Sequence, residues 1–149
     1  MILRYKYKSV RRPDGTEERT PSIPVIFVGE KNRQEFIALL DSGADISFIP
    51  KGIAEILGLK IEGIPITPAY GIGGAINTVQ TKMGVIVGRG RVTEHFIISV
   101  KVALDQYDFP PILGRFGFFD KFSITLDESE KHVTLKRAKN RTGQKIYDR

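Results

Sequence analysis

An acidic residue breaks what would otherwise be one long apolar run. Phe36-Ile37-Ala38-Leu39-Leu40 leads into Asp41-Ser42-Gly43-Ala44, and Ile46-Ser47-Phe48-Ile49 follows. Flanks this rich in Ile, Leu and Phe specify buried strands, and Ser-Gly after the acid specifies a tight turn between them. A carboxylate carried into a turn by a buried strand is held rigidly, as acid–base chemistry on water requires. Taken alone, the triplet is also the composition of an ordinary turn.

The rest of the chain alternates in the same β-rich way. Ile2 to Val10 and Ile23 to Val28 read as strands of a hairpin or extended arm around the turn Arg12-Pro13-Asp14-Gly15. Lys51 to Leu57 has helical spacing, with Pro50 before it and Gly58 ending it. Ile64 to Tyr70 and Ala75 to Val87 flank a glycine tip, and a strand from Val92 to Val100 follows the turn Gly88-Arg89-Gly90. Phe116 to Phe122 predicts a second short helix, and Ser123 to Asp127 with His132 to Arg137 predicts a closing hairpin. Many short strands, two short helices and no repeat predict a small, mostly antiparallel β barrel or sandwich.

The chain has 149 residues, enough for one domain with its own core but not for a second catalytic domain. The absence of cysteine excludes a disulfide scaffold, a thiol nucleophile and a cysteine-built metal site. His95 and His132 are too few and too far apart for a metal centre, and no Gly-x-Ser-x-Gly elbow supports serine hydrolase chemistry. Neither a metal nor a cofactor is expected. With no signal-peptide core and no run of membrane-spanning length, the expectation is a cytoplasmic protein without membrane contact. From Lys131 onward, seven Lys or Arg stand against the single acid Asp148, which accounts for the whole net charge of +6. Residues 138–149 therefore read as a basic, solvated tail after a domain spanning 1–137, with 1–20 as its N-terminal arm. The tail is the only feature pointing to nucleic acid, which is not an expected partner.

Two further segments give the Asp41 turn its weight: the tip Tyr70-Gly71-Ile72-Gly73-Gly74, and Pro111-Ile112-Leu113-Gly114-Arg115, an apolar run closed by Gly and Arg. The tip is no dinucleotide fingerprint, because Ile76 stands where the third glycine belongs and the next segment is β-rich. In this order and at these separations the three segments resemble the retropepsin-like aspartic proteases. The resemblance, over roughly Pro21 to Arg137, implies a small closed β-barrel with a flap hairpin and one or two short helices, working as a homodimer.

Hydrolysis by carboxylates needs one group to take a proton from water while another donates one, and two close carboxyls sharing a proton divide those roles. Only Asp41 sits in an apolar-Asp-Ser-Gly setting; Asp127 lacks the glycine turn and Asp14 lies in a polar loop. The second carboxylate must then come from another copy of the chain. The resemblance makes Asp41, Ser42 and Gly43 the catalytic turn, with Ser42 standing where many relatives have Thr. It makes Ile72 the flap tip, and it pairs Arg115 with Asp45 near the dimer base, where Leu113 and Gly114 also belong. Ala44, Asp45, Ile46, Gly71, Ile72, Gly73, Gly74 and Ile112 are the expected substrate-binding positions, for an extended peptide or protein segment. Asp45 could equally cap its own loop, and Ile46 and Ile112 could simply fill the core. The expected function is an aspartic endopeptidase; the alternative is a retropepsin-like module that binds peptides or dimerises without cutting.

Overall fold

The computed structural model of the chain describes residues 1–12, 14–105 and 109–139. Most of the expected basic tail, from Asn140 on, lies outside the described residues, as does Pro13 of the first turn.

The architecture is mainly β. Seven strands form the larger sheet: β4 (Ser22–Val28), β5 (Arg33–Leu40), β6 (Ser47–Pro50), β7 (Thr67–Gly71), β8 (Gly74–Arg89), β9 (Val92–Ala103) and β10 (Ile112–Leu113). Their spatial order is β4-β5-β10-β6-β9-β8-β7, and β4 pairs again with β8 through Ile26 to Val28. The sheet is not wholly antiparallel, since β10 runs parallel to β5 and β6 parallel to β9. Inward positions of these strands carry the core: Ile23, Val25 and Phe27 of β4, Val79, Val85 and Val87 of β8, and Ile98, Val100 and Val102 of β9 are at most 2% exposed. Period-two alternation in the sequence produces this directly, because successive side chains on a strand point to opposite faces. Where β4 and β8 meet, a Cβ on Gly84 would lie 3.0 Å from the Val28 side chain, so a bulkier residue would push the two strands apart.

The first strand and the last hairpin of the described residues build a separate sheet of three strands, in the order β1 (Ile2–Lys6), β12 (His132–Arg137), β11 (Phe122–Asp127). Phe118 and Phe122 join it to the main core, their rings 5.3 Å apart and each within about 6 Å of Phe96 on β9. The closing hairpin appears where its alternation predicts, with β11 starting one residue earlier, at Phe122. The arm differs. Its turn joins β2 (Lys8–Arg11) to β3 (Glu17–Thr20), a strand in a polar stretch that alternation did not mark, whereas Ile23 to Val28 leaves the arm for the larger sheet.

The helix α1 (Lys51–Leu57) ends at Gly58, whose φ of 69° lets its N–H turn back toward the last carbonyls. The second expected helix is reduced to a 3-10 turn at Phe119–Lys121. Gly117, at φ 91°, cannot continue a helix from Phe116, and its N–H is taken by the Asp120 carboxylate at 2.9 Å. The strand expected from Ile64 starts only at Thr67, after Pro65. No helix among the described residues is long and apolar enough to cross a membrane.

Candidate active site

β5 delivers Asp41 to one end of the larger sheet, and β10 fixes it there. The Asp41 N–H donates to the Leu113 carbonyl at 3.0 Å, extending the parallel pairing Ile112↔Leu39 and Leu113↔Leu40 by one residue. The turn then closes on itself: the Ala44 N–H donates to the Asp41 carbonyl at 3.2 Å, and the Gly43 N–H donates to the Asp41 carboxylate at 2.9 Å. One carboxylate oxygen is thereby held by a backbone donor, and the half-buried side chain keeps acceptor capacity for water or a second acid. Ser42 is exposed, and its hydroxyl has no hydrogen-bond partner among the described residues.

The third segment locks the same loop from below. Gly114 donates its N–H to the buried Ser47 hydroxyl at 3.0 Å, Arg115 to the Ala44 carbonyl at 2.9 Å and Phe116 to the Asp45 carbonyl at 2.8 Å. A Cβ on Gly114 would sit 2.7 Å from the Ile46 carbonyl and 3.0 Å from the Ala44 oxygen, so only glycine permits this approach. Leu113 is wholly buried. Asp41 to Asp45 and Ile112 to Arg115 thus form one hydrogen-bonded unit. Arg115 and Asp45 are not bonded to each other: the backbone bonds here join Arg115 to Ala44 and Phe116 to Asp45. The Asp45 carboxylate accepts its own loop's Ile46 N–H at 2.8 Å, and within this chain no ion pair joins it to the exposed Arg115.

Beside this unit lies an apolar groove of about 500 Å³. Ala69 to Gly71 and Gly73 to Ile76 of the β7–β8 hairpin form one wall, and Phe48, Phe109 and Ile112 form the other. The hairpin is tight, with Gly71 opposite Gly74 and only Ile72 and Gly73 between them, and Gly74 takes a φ of 107°. Tyr70 and Ile72 at its end are among the most exposed apolar side chains described, Tyr70 at 82% and Ile72 fully accessible. Of the expected substrate positions, Gly71, Gly73, Gly74 and Ile112 line the groove, while Ile72 projects past it. Ile46 is buried in the interior, and neither Ala44 nor Asp45 reaches the lining; nor does Asp41, whose link to the groove is β10, since its N–H bonds to Leu113 beside the lining residue Ile112.

Phe48, Phe109, Ala69, Tyr70, Ala75 and Ile76 complete the walls without having been among the substrate positions expected from the sequence. Phe48 had a readable signal. On β6 the side chains of Ser47 and Ile49 are buried and those of Phe48 and Pro50 are half-exposed, so strand alternation turns Phe48 outward, away from the core side of Ile49. Phe109, whose ring centroid lies 6.5 Å from that of Phe48, carries no local motif. Among the described residues, no group of three or more His, Asp or Glu side chains converges as a metal site would.

No family model matches the sequence, and no curated protein matches it either. Solved structures do. A retropepsin-like aspartic protease from Rickettsia conorii superposes with a TM-score of 0.58 at 18% identity, covering 91% of each chain. EIAV protease, in complex with the inhibitor HBY-793, matches with a TM-score of 0.50 at 28% identity, over 66% of this chain and 84% of the viral one.

Proposed function

Since the chain is retropepsin-like, we propose that it is an aspartic endopeptidase whose active site forms between two copies, each supplying Asp41. The observation that carries this reading is the Asp41 turn: a single carboxylate, braced by a backbone donor and by β10, the strand whose Ile112 lines an apolar groove walled on its other side by a glycine hairpin. One such acid cannot both take and give a proton in the same step. Two facing copies can, because adjacent carboxyls share one proton and split into base and acid.

In this scheme the ionised member of the pair removes a proton from a water held between the two turns, and that water attacks the scissile carbonyl carbon. The protonated member gives its proton to the carbonyl oxygen, and collapse of the tetrahedral species passes a proton to the leaving nitrogen. The Gly43 N–H keeps the Asp41 carboxylate oriented throughout. Ser42, exposed at the turn, is the candidate for bracing the two turns against each other. The β7–β8 hairpin acts as the flap, with Gly71, Gly73 and Gly74 supplying freedom to open and backbone groups to meet an extended peptide. Phe48, Ile76, Phe109 and Ile112 favour apolar side chains near the cut. The β4–β8 pairing supports reading the larger sheet as a small closed barrel, rigid enough to hold the turn.

The test is cleavage of a peptide library by the purified chain at about pH 4 to 6, beside Asp41→Asn, with sedimentation of both. The proposal expects hydrolysis by the parent, a loss of roughly 10²-fold or more in the variant, and the same dimer in each. Undiminished turnover by Asp41→Asn would refute it.

A further inference from the structure

From Leu3 to Lys8 the chain alternates strictly. Leu3, Tyr5 and Tyr7 turn inward, while Arg4 and Lys6 are exposed and Lys8, the first residue of β2, is half-buried. β1 stands at the margin of its sheet and, among the described residues, pairs only with β12, so the backbone N–H and C=O groups along its other side have no strand partner there. Arg89, from the end of β8, lines the same depression as β1, and its charge partly offsets the burial that raises the Tyr5 pKa. The depression, of about 320 Å³, is lined by Leu3, Arg4, Tyr5, Lys6, Lys8 and Arg89. It contains four cationic side chains and no acid. Among the described residues none of the four forms an ion pair.

Cations at every second residue of an extended strand recur about every 6.7 Å on one face. A second strand laid alongside, with acids at alternate positions, repeats at the same distance and also satisfies the free backbone groups. A nucleic acid would use the charges but not the strand's backbone ladder, and with Tyr7 buried and Tyr5 half-buried there is no fully exposed ring for base stacking. The same cations oppose self-pairing, since an antiparallel copy of β1 would bring like charges face to face. We propose that the free edge of β1, flanked by Arg89, binds an extended acidic peptide segment, with Asp or Glu at alternate positions, by strand addition. The binding does not depend on catalysis at Asp41.

The test uses the full chain and fluorescence anisotropy with a labelled peptide of alternating Glu and Thr, about ten residues long. Saturable binding is expected, weakened by raising salt and reduced about tenfold or more in the double variant Arg4→Glu, Lys6→Glu and roughly threefold in Arg89→Glu. A peptide N-methylated at alternate amides is expected to bind more weakly than its parent, because it cannot complete the ladder. Should circular dichroism show that the reversal variant does not fold, Arg4→Gln with Lys6→Gln gives the same reading with a smaller loss. Absence of saturable binding, equal affinity in the variants, full affinity of the N-methylated peptide, or tighter binding by an oligothymidylate of matched charge would each overturn the proposal.

Discussion

Gly114 shows how closely the site is tied to single residues. Because an added Cβ would lie 2.7 Å from the Ile46 carbonyl, Gly114→Ala must push the third segment off the Asp41 loop. The expected cost is about 1–3 kcal/mol in urea unfolding, as for other overpacked positions, with a matching loss of cleavage as Asp41 loses its β10 partner. Gly52 is the contrast. It sits in α1 with nothing within 4 Å of an added Cβ, so Gly52→Ala is expected to stabilise by about 0.5–1 kcal/mol and leave turnover unchanged. Asp127 sets a pH limit. Its carboxylate accepts from the Glu130 N–H and the Ser129 hydroxyl, which hold its pKa below the ordinary value. The folded value lies below the unfolded one, so this contribution is complete above the ordinary value of 3.8 and disappears as pH falls through the lower, folded value. Thermal melts of Asp127→Asn should therefore fall below the parent at pH 7 and converge with it in strong acid; a gap that persists there would contradict the assignment. Asp41, Gly43 and Gly114 were legible because their signal is local, an acid or a glycine at a break in an apolar run. The role of Asp45 was not, since either its own loop or Arg115 could claim the carboxylate until the backbone geometry was known.

Among the elements, the β7–β8 hairpin forms one wall of the groove and β6, through Phe48, part of the other; in the endopeptidase reading the hairpin is the wall that moves. β7 is an edge strand, which is why Pro68 is tolerated within it, and its hairpin leaves Tyr70 and Ile72 in solvent. Gly71 and Gly74 separate shape from freedom: Ala at Gly71 meets nothing within 4 Å, whereas Ala at Gly74 must adopt a φ of 107°. Hydrogen exchange across the hairpin is expected to rise in Gly74→Ala and stay unchanged in Gly71→Ala. Phe48→Ala removes part of the other wall, and in the endopeptidase reading it raises KM for apolar peptides by about 10-fold while kcat falls less. The hairpin was legible from three glycines between β-rich runs, and α1 from Pro50 and Gly58. β3 was not, because Glu17, Glu18 and Arg19 carry no apolar alternation and the strand exists by pairing with β2. Nor was the shortening of the second helix, which turns on the positive φ of Gly117.

For the molecule as a whole, the first strand and the last hairpin meet across nearly the full length of the chain, with Ile2 opposite Lys136 and Lys6 opposite His132. Local pattern shows that each is a strand but cannot say that they are neighbours, because such a pairing is chosen by the core they share through Phe118 and Phe122. The mainly β class and the likeness to retropepsins were readable, since three short segments in fixed order carry them; the parallel pairings of β10 and β6 and the base sheet needed the three-dimensional structure. A catalytic site that needs two copies makes activity a property of the pair. Mixing the parent with an equal amount of Asp41→Asn subunits and measuring peptide hydrolysis after exchange tests this most directly. If both carboxylates are required, only about a quarter of the dimers stay active and the rate is about a quarter of that of parent protein alone at the same total subunit concentration. A rate of about half, proportional to the parent subunits present, would mean that each chain works alone and would contradict the account.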